Sequence, residues 1–348
     1  MRPSVSVLIV AWNSSTELRR TLPPLLAELR DGDELIVVDN DSPDDSAAVA
    51  AALAPQVKVV TMGRNRGFAG GANVGAGAAT GDLLVILNPD AMPLPGWGEA
   101  IRRPWLEGRG WSAWQGLVAE VDGTTINSAG NPVHFTGIVW AGGHGEPIAA
   151  APGPGEVTAA SGACLAVPLE VWRRVGGFAE RFFMYHEDVD LSLRLQLAGE
   201  RVGIEPTAVV AHDYEFRASA GNKWRWMERN RLATLVRLYP GSLLLLLAPA
   251  LLATEAILLL AAAAGGWGGQ KVRANAEIVV WLPRLLRERR AIRRARTLSA
   301  AEFAAALSAD LDSPFIPAVA RSAPARFLLR GYWRLVRALL SRAKRVRS

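Results

Sequence analysis

Four short apolar runs, each closing on a polar residue, constrain this chain more than any other feature. Val5–Val10, Glu34–Val38, Val57–Met62 and Leu83–Leu87 are each about five residues long and rich in Val, Ile and Leu, the pattern of fully buried strands. Between the first two, Leu18, Leu22, Leu25, Leu26 and Leu29 recur at helical spacing within Thr16–Leu29, with Ser14 or Ser15 as the expected cap. Ser46–Leu53 and Asn73–Ala79 also read as helices. Apolar strands alternating with helices predict an α/β fold: a mostly parallel sheet, Rossmann-like, with helices on both faces. Ligands of such sheets lie beyond the carboxyl ends of the strands. That rule singles out Ala11-Trp12-Asn13, Asp39-Asn40-Asp41 and Asn88-Pro89-Asp90. Val5–Val10 lacks the cleavage pattern of a secretion signal and is taken as a strand.

Residues 110–160 are punctuated by Gly, Asn and Pro and predict short antiparallel strands and loops with little helix. Pro168–Arg174 and Asp188–Ala198 predict helices, the second opened by acids and closed by Gly199. Half of the residues are hydrophobic, which excludes bulk disorder. The single cysteine, Cys164, excludes a disulfide framework, and its apolar neighbours Ala163–Val167 predict packing rather than a thiol nucleophile.

The net charge of +6 is unevenly spread. Residues 1–216 hold 15 Lys and Arg against 26 Asp and Glu, whereas residues 217–348 hold 24 against 7. A boundary near Arg217 therefore separates an acidic domain, 1–216, from a basic helical tail, 217–348. In the tail, Lys223–Leu238 is basic and amphipathic, and Arg284–Arg296 and Arg326–Arg347 are rich in arginine. Between them Leu243–Ala264 is apolar apart from Pro249, Thr254 and Glu255, and about 20 such residues suffice to cross a bilayer. Because positive charge flanks both ends, the tail is expected to lie on the cytoplasmic face of the bacterial inner membrane as a peripheral or monotopic element, inserted shallowly into an anionic leaflet. A single membrane segment at 243–264, or a buried helix at a homo-oligomer interface, are the alternatives. Nucleic acid is not an expected partner, since the arginines alternate with Leu and Trp along helices and the acidic domain repels phosphate backbone.

Asp39, Asp41, Asp90, Glu187, Asp188 and Asp190 would repel one another around one crevice without a cation. Hard oxygen ligands select Mg²⁺ or Mn²⁺, shared with substrate phosphates. Strand-end aspartates also cap turns, so Asp39 and Asp90 alone do not decide. Gly75–Gly81 resembles a dinucleotide fingerprint but follows the wrong strand. Arg64 and Arg66 are candidates to grip a diphosphate. His134 and His144 show no ligand spacing.

Taken in order, Val5–Asn13, Ile36–Ser42 with Asp44 and Ser46, Asn65–Gly75, Leu87–Asp90, Ser161-Gly162-Ala163, Val175–Phe178 and Phe182–Leu191, with His212 beyond, resemble the blocks of family 2 glycosyltransferases. The similarity runs over roughly residues 3–216 and is greatest to bacterial rhamnosyltransferase-like enzymes of cell-surface glycan synthesis. The resemblance implies a GT-A fold and inverting transfer of a sugar from a nucleotide donor such as dTDP-rhamnose to a cell-surface glycan or lipid-linked acceptor. By position it implies that Asp39, with Ala11 and Asn13, binds the nucleoside. Asn65, Gly67 and Asn73 would line the nucleotide pocket, and Gly162 and Ala163 would border the donor sugar. Asp90 and His212 would hold the metal. Asn88 stands where the family carries the first acid of an Asp-x-Asp element; a neutral amide is a weaker ligand, so it is grouped with the donor-binding residues. Asp188 would be the general base, with Glu187 beside it.

Elementary chemistry agrees, since one cation on the diphosphate and one carboxylate on the acceptor hydroxyl suffice for single displacement. A sugar-phosphate nucleotidyltransferase would share the sheet but needs a glycine-rich loop with a basic residue after the first strand, which Ala11–Ser15 lacks. A catalytically silent membrane scaffold for glycan assembly is the third reading, opposed by the presence of Asp90 and Asp188.

Overall fold

The computed structural model describes residues 2–213, 221–313 and 321–345. The boundary expected near Arg217 and the last residues of Arg326–Arg347 lie outside them. The chain divides into two compact units, one of residues 1–131, 141–195 and 200–216, the other of 132–140, 196–199 and 217–348.

The first unit is built on one mixed sheet. Its elements in chain order are β1 (Val5–Ala11), α1 (Ser15–Glu28), β2 (Glu34–Asp39), α2 (Ser46–Leu53), β3 (Lys58–Thr61), α3 (Gly67–Ala78), β4 (Leu83–Leu87), β5 (Ala91–Pro93), α4 (Trp97–Ala100), α5 (Arg103–Leu106), β6 (Trp111–Glu120), β7 (Ile126–Ser128), β8 (Gly155–Glu156), β9 (Cys164–Pro168), α6 (Leu169–Val175), α7 (Glu187–Leu197, its last residues in the second unit) and β10 (Arg201–His212). The strands run β3-β2-β1-β4-β9-β6-β10-β5, with β7 on β6 and β8 on β10. β3, β2, β1 and β4 are mutually parallel, as are β6 and β10, while β9 is antiparallel to both β4 and β6. Along β1, Val5, Val7 and Ile9 join Leu18, Leu22 and Leu25 of α1 on one face. Leu8 and Val10 join Ala69, Ala72 and Ala76 of α3 on the other. Both faces of β1 are therefore covered, which is why the strand is apolar apart from Ser6.

Three elements differ from the sequence expectation. α3 begins at Gly67, six residues before Asn73, because its glycines allow close packing: a Cβ on Gly75 would stand 2.2 Å from Leu8 Cδ1. Tertiary contact thus overrides a composition that reads as loop. Within 110–160, β6 is ten residues long and lies inside the sheet, parallel to β10 as well as antiparallel to β9 and β7. Ser14 precedes α1, but its hydroxyl bonds Trp12 rather than capping the helix.

The second unit holds α8 (Lys223–Leu238), α9 (Gly241–Ala264), α10 (Gly268–Ala295), α11 (Ala300–Ala305) and α12 (Ala323–Arg345). Four charges cluster within it. Lys271 Nζ lies 2.6 Å from both Glu228 Oε2 and Glu255 Oε2, and Arg231 bridges the same two carboxylates. The Lys271 side chain is fully buried, so each charge relies on the others for solvation. Burial pushes the Glu228 carboxyl up, but Arg231 and Lys271 outweigh it and hold the group at about 2. Stability from this group is complete above its ordinary value of 4.5 and is lost as pH falls towards about 2. Lys271→Met, which strands two acids beside one arginine, is expected to cost about 3–5 kcal/mol in denaturant unfolding at neutral pH. A loss under about 1 kcal/mol would show the cluster to be energetically idle.

Candidate functional site

The ends of β1 and β2 are tied together by main-chain and hydroxyl contacts. Asn40 N donates to Ala11 O at 2.9 Å, Ser42 N to Asp39 Oδ1 at 3.1 Å, and Asn13 N to Ser42 Oγ at 3.3 Å. This brings Ala11, Asn13 and Asp39 to one place. Asn13 and Asp41 adopt φ of 54° and 64°, a region that Asn and Asp tolerate better than most residues. Immediately before Asn13, Trp12 is 52% exposed at the strand end, an aromatic face open to a planar ligand. Sequence reasoning placed Trp12 at the crevice without giving it a role.

The next loop is organised by Asn40, which is buried. Its Nδ2 donates to Asn65 Oδ1 and to Gly67 O, each at 3.1 Å, and its Oδ1 accepts from Arg66 N at 3.0 Å. Gly67 has φ of 71°, and a Cβ there would stand 2.3 Å from Phe183 O, so no other residue fits. Asn73 faces away from such a pocket in its hydrogen bonding: Nδ2 donates to Phe178 O and Oδ1 accepts from Phe178 N, both at 2.9 Å. Its amide clamps the 176–180 segment onto α3. Arg66 pairs with Glu180 at 2.6 Å, so it is engaged with protein rather than held open for a diphosphate, while Arg64 is exposed.

At the far side, β10 pairs antiparallel with β5 so that His212 sits opposite Ala91. This places His212 Nε2 3.1 Å from Asp90 Oδ1 and 3.3 Å from Asn88 Nδ2. Two donors, one carboxylate oxygen and one imidazole nitrogen, at that separation match adjacent ligands of an octahedral ion with bonds of about 2.1 Å, which stand roughly 3 Å apart. Asp90 and His212 therefore fit a divalent cation. Among the described residues no three of His, Cys, Asp and Glu converge to hold one unaided. Such a pair suits an ion that takes its remaining ligands from phosphate and water.

The 161–163 segment links this end to the carboxylates of α7. Asn88 N donates to Ala163 O at 3.1 Å, and Gly162 N donates to Asp188 Oδ2 at 2.9 Å. Buried Gln115 on β6 fixes the segment by accepting from Ser161 N at 2.7 Å, a positioning residue that nothing in its own sequence surroundings marks out. Asp188 Oδ1 also accepts from Val189 N at 2.8 Å. Burial raises the Asp188 carboxyl above its ordinary value, partly offset by these N–H groups. Glu187 is 6% exposed, and burial, then the charges of Asp188 and Asp190, push its carboxyl well above 4.5. The backbone before them is strained: Phe183, Tyr185 and His186 all have φ between 66° and 68°. Cys164 accepts from Trp97 Nε1 at 3.4 Å, and burial pushes its thiol up to about 11, which leaves it unreactive.

Residues 6–138 match the family described as Glycosyl transferase family 2, and residues 128–281 match Glycosyl transferase family group 2. The chain is 28% identical over 238 residues to the N-acetylglucosaminyl-diphospho-decaprenol L-rhamnosyltransferase of Mycobacterium tuberculosis, covering 61% of this chain and 76% of that protein. It is 34% identical over 79 residues to rhamnosyltransferase WbbL of Escherichia coli, covering 22% of this chain and 30% of that one. Among solved structures, GalNAc-T7 with UDP, GalNAc and Mn²⁺ shares the fold at a TM-score of 0.57 and 17% identity, over 69% of this chain and 48% of that chain. Fold, order of site residues and sequence together place the chain in glycosyltransferase family 2, as a glycosyltransferase of GT-A fold.

Proposed function

We propose that the protein transfers L-rhamnose, with inversion, from a nucleotide donor such as dTDP-rhamnose to a glycan or lipid-linked acceptor at the cytoplasmic face of a bacterial inner membrane. The observation that carries this reading is the main-chain link from Asn88 through Ala163 and Gly162 to Asp188, which ties the segment beside the Asp90–His212 pair to the carboxylate at the head of α7. The rhamnose assignment is supported by the names of the two relatives above.

In this mechanism Asp39, Ala11 and Asn13 hold the nucleoside, with Trp12 stacked on its base. Asn65 and Gly67 shape the floor beside it, and Asn73 acts on the pocket through the Phe178 segment. Asp90 and His212 hold Mg²⁺ or Mn²⁺, which when bound offsets charge on the departing diphosphate. Asn88, Gly162 and Ala163 border the sugar. The Asp188 carboxylate takes the proton from the acceptor hydroxyl as its oxygen attacks the anomeric carbon, and the bond to the diphosphate breaks on the opposite face. Glu187 stands beside Asp188, and burial and the neighbouring charges push its carboxyl well above the ordinary glutamate value.

The test is to incubate the purified full chain with a panel of nucleotide sugars, with and without chelator, and follow nucleotide diphosphate release. Release from dTDP-rhamnose that the chelator abolishes is expected. Release from another donor alone overturns the rhamnose assignment, and chelator-insensitive release overturns the cation site.

A further inference from the structure

From Leu245 onward, every exposed position of α9 is Leu, Ile, Ala or Pro. Leu245, Leu252, Ile257 and Leu260 are 65–76% exposed. Soluble monomers rarely leave so long an apolar face in water. The protein-facing side of the same helix buries Leu243, Leu247 and Ala262 and carries one charge: Glu255, near the middle of the helix, is bound to Lys271 of α10 and Arg231 of α8. A helix crossing the bilayer would carry that carboxylate and both partners into hydrocarbon. A helix lying in the membrane plane keeps its exposed apolar face in lipid and Glu255 on protein.

The neighbouring helices repeat the division in sequence register. On α10, Val272, Val279 and Leu286 recur every seven residues and are exposed, and exposed Arg293 takes the next place. On α12, exposed Leu328 and Leu335 are followed at the same spacing by exposed Arg342. An apolar stripe that runs into arginine matches acyl chains meeting anionic headgroups.

We infer that the outer faces of α9, α10 and α12 form a docking surface for an anionic bilayer leaflet, with α9 half-immersed in the membrane plane and not spanning it. Only the presence of the acceptor on that membrane rests on the proposed function; lipid binding is measured without any sugar.

The full chain is sedimented with vesicles of phosphatidylcholine, alone or mixed with phosphatidylglycerol. Binding to the mixed vesicles is expected to be roughly tenfold stronger or more, and to fall as salt rises. Arg290→Glu with Arg293→Glu should remove that preference. Leu252→Glu with Ile257→Glu should abolish binding to both, with an unchanged circular dichroism spectrum, since both side chains are already exposed. Equal binding to both vesicle types, no binding, or a vesicle-free dimer dissociated by Leu252→Glu would overturn the inference. Immersion is decided by single cysteines, Ser242→Cys and Ala264→Cys, at the two ends of α9, read against buried Cys164. An impermeant maleimide should label neither in intact spheroplasts and both in inverted vesicles. Labelling of one end in spheroplasts would mean that α9 spans.

Discussion

Asp188→Asn is expected to lower kcat for sugar transfer by about 10²–10⁴-fold and to leave nucleotide affinity nearly unchanged. The asparagine oxygen still accepts the hydrogen bond that Gly162 N gives to Asp188, so the 161–163 segment keeps its place. What disappears is the basic oxygen. Because burial raises the Asp188 carboxyl, the acid limb of the wild-type kcat/KM profile should lie above the ordinary aspartate value of 3.8: below that limb Asp188 is protonated and cannot accept a proton. The limb should vanish from the residual rate of the variant. Glu187→Gln provides the control, for it removes a carboxyl that takes no proton from the acceptor in this mechanism and should leave the plateau in place. A collapse in Glu187→Gln together with near wild-type turnover in Asp188→Asn would exchange the two roles.

The second large effect falls at the other end of the site. Asp90→Ala removes the charged member of the pair formed with His212 and should reduce turnover by about 10²–10³-fold. His212→Ala leaves the carboxylate and should cost less, showing mainly as a higher Mn²⁺ concentration for half-maximal activity. In both variants donor affinity should weaken with the diphosphate, whereas Asp188→Asn should not weaken it. This contrast separates cation binding from proton transfer. Near wild-type rates in Asp90→Ala would remove Asp90 from the cation site.

The half of the sheet containing β1, β2, β3 and β4 was legible because β1, β2 and β4 are buried nearly throughout and so are almost wholly apolar, while the partly buried edge strand β3 keeps Val59 and Val60 between Lys58 and Thr61. The strand ends then advertise the site, as at Asp39 and Asp90. Gly67, Gly70 and Gly71 weaken a helix locally and hide the start of α3 in the sequence, and only the tertiary structure shows what two of them meet, Phe183 at Gly67 and Val10 of β1 at Gly71. β6 and β10 were hidden for a different reason. Trp111–Glu120 and Arg201–His212 contain Gly116, Gln115, Gly203, Glu205 and Pro206, and their pairing is long-range and interrupted by register shifts.

Within the site, the residues that carry chemistry are charged and stand at strand ends or at the head of α7, where sequence pattern points directly. The residues that position them do not. Asn40, Asn73 and Gln115 are amides whose partners lie 25, 105 and 46 positions away, and no local spacing announces such bonds. Likewise, composition marked Leu243–Ala264 as apolar enough for a membrane, but one helix wheel cannot say which side packs on protein. The sequence by itself determined that apolar strands end in acids beside a basic, half-apolar tail, because burial and charge are properties of each residue. Only the tertiary structure decided that His212 faces Asp90, that Gly162 holds Asp188, and that Glu255 is answered by Arg231 and Lys271, because those energies belong to pairs far apart in the chain.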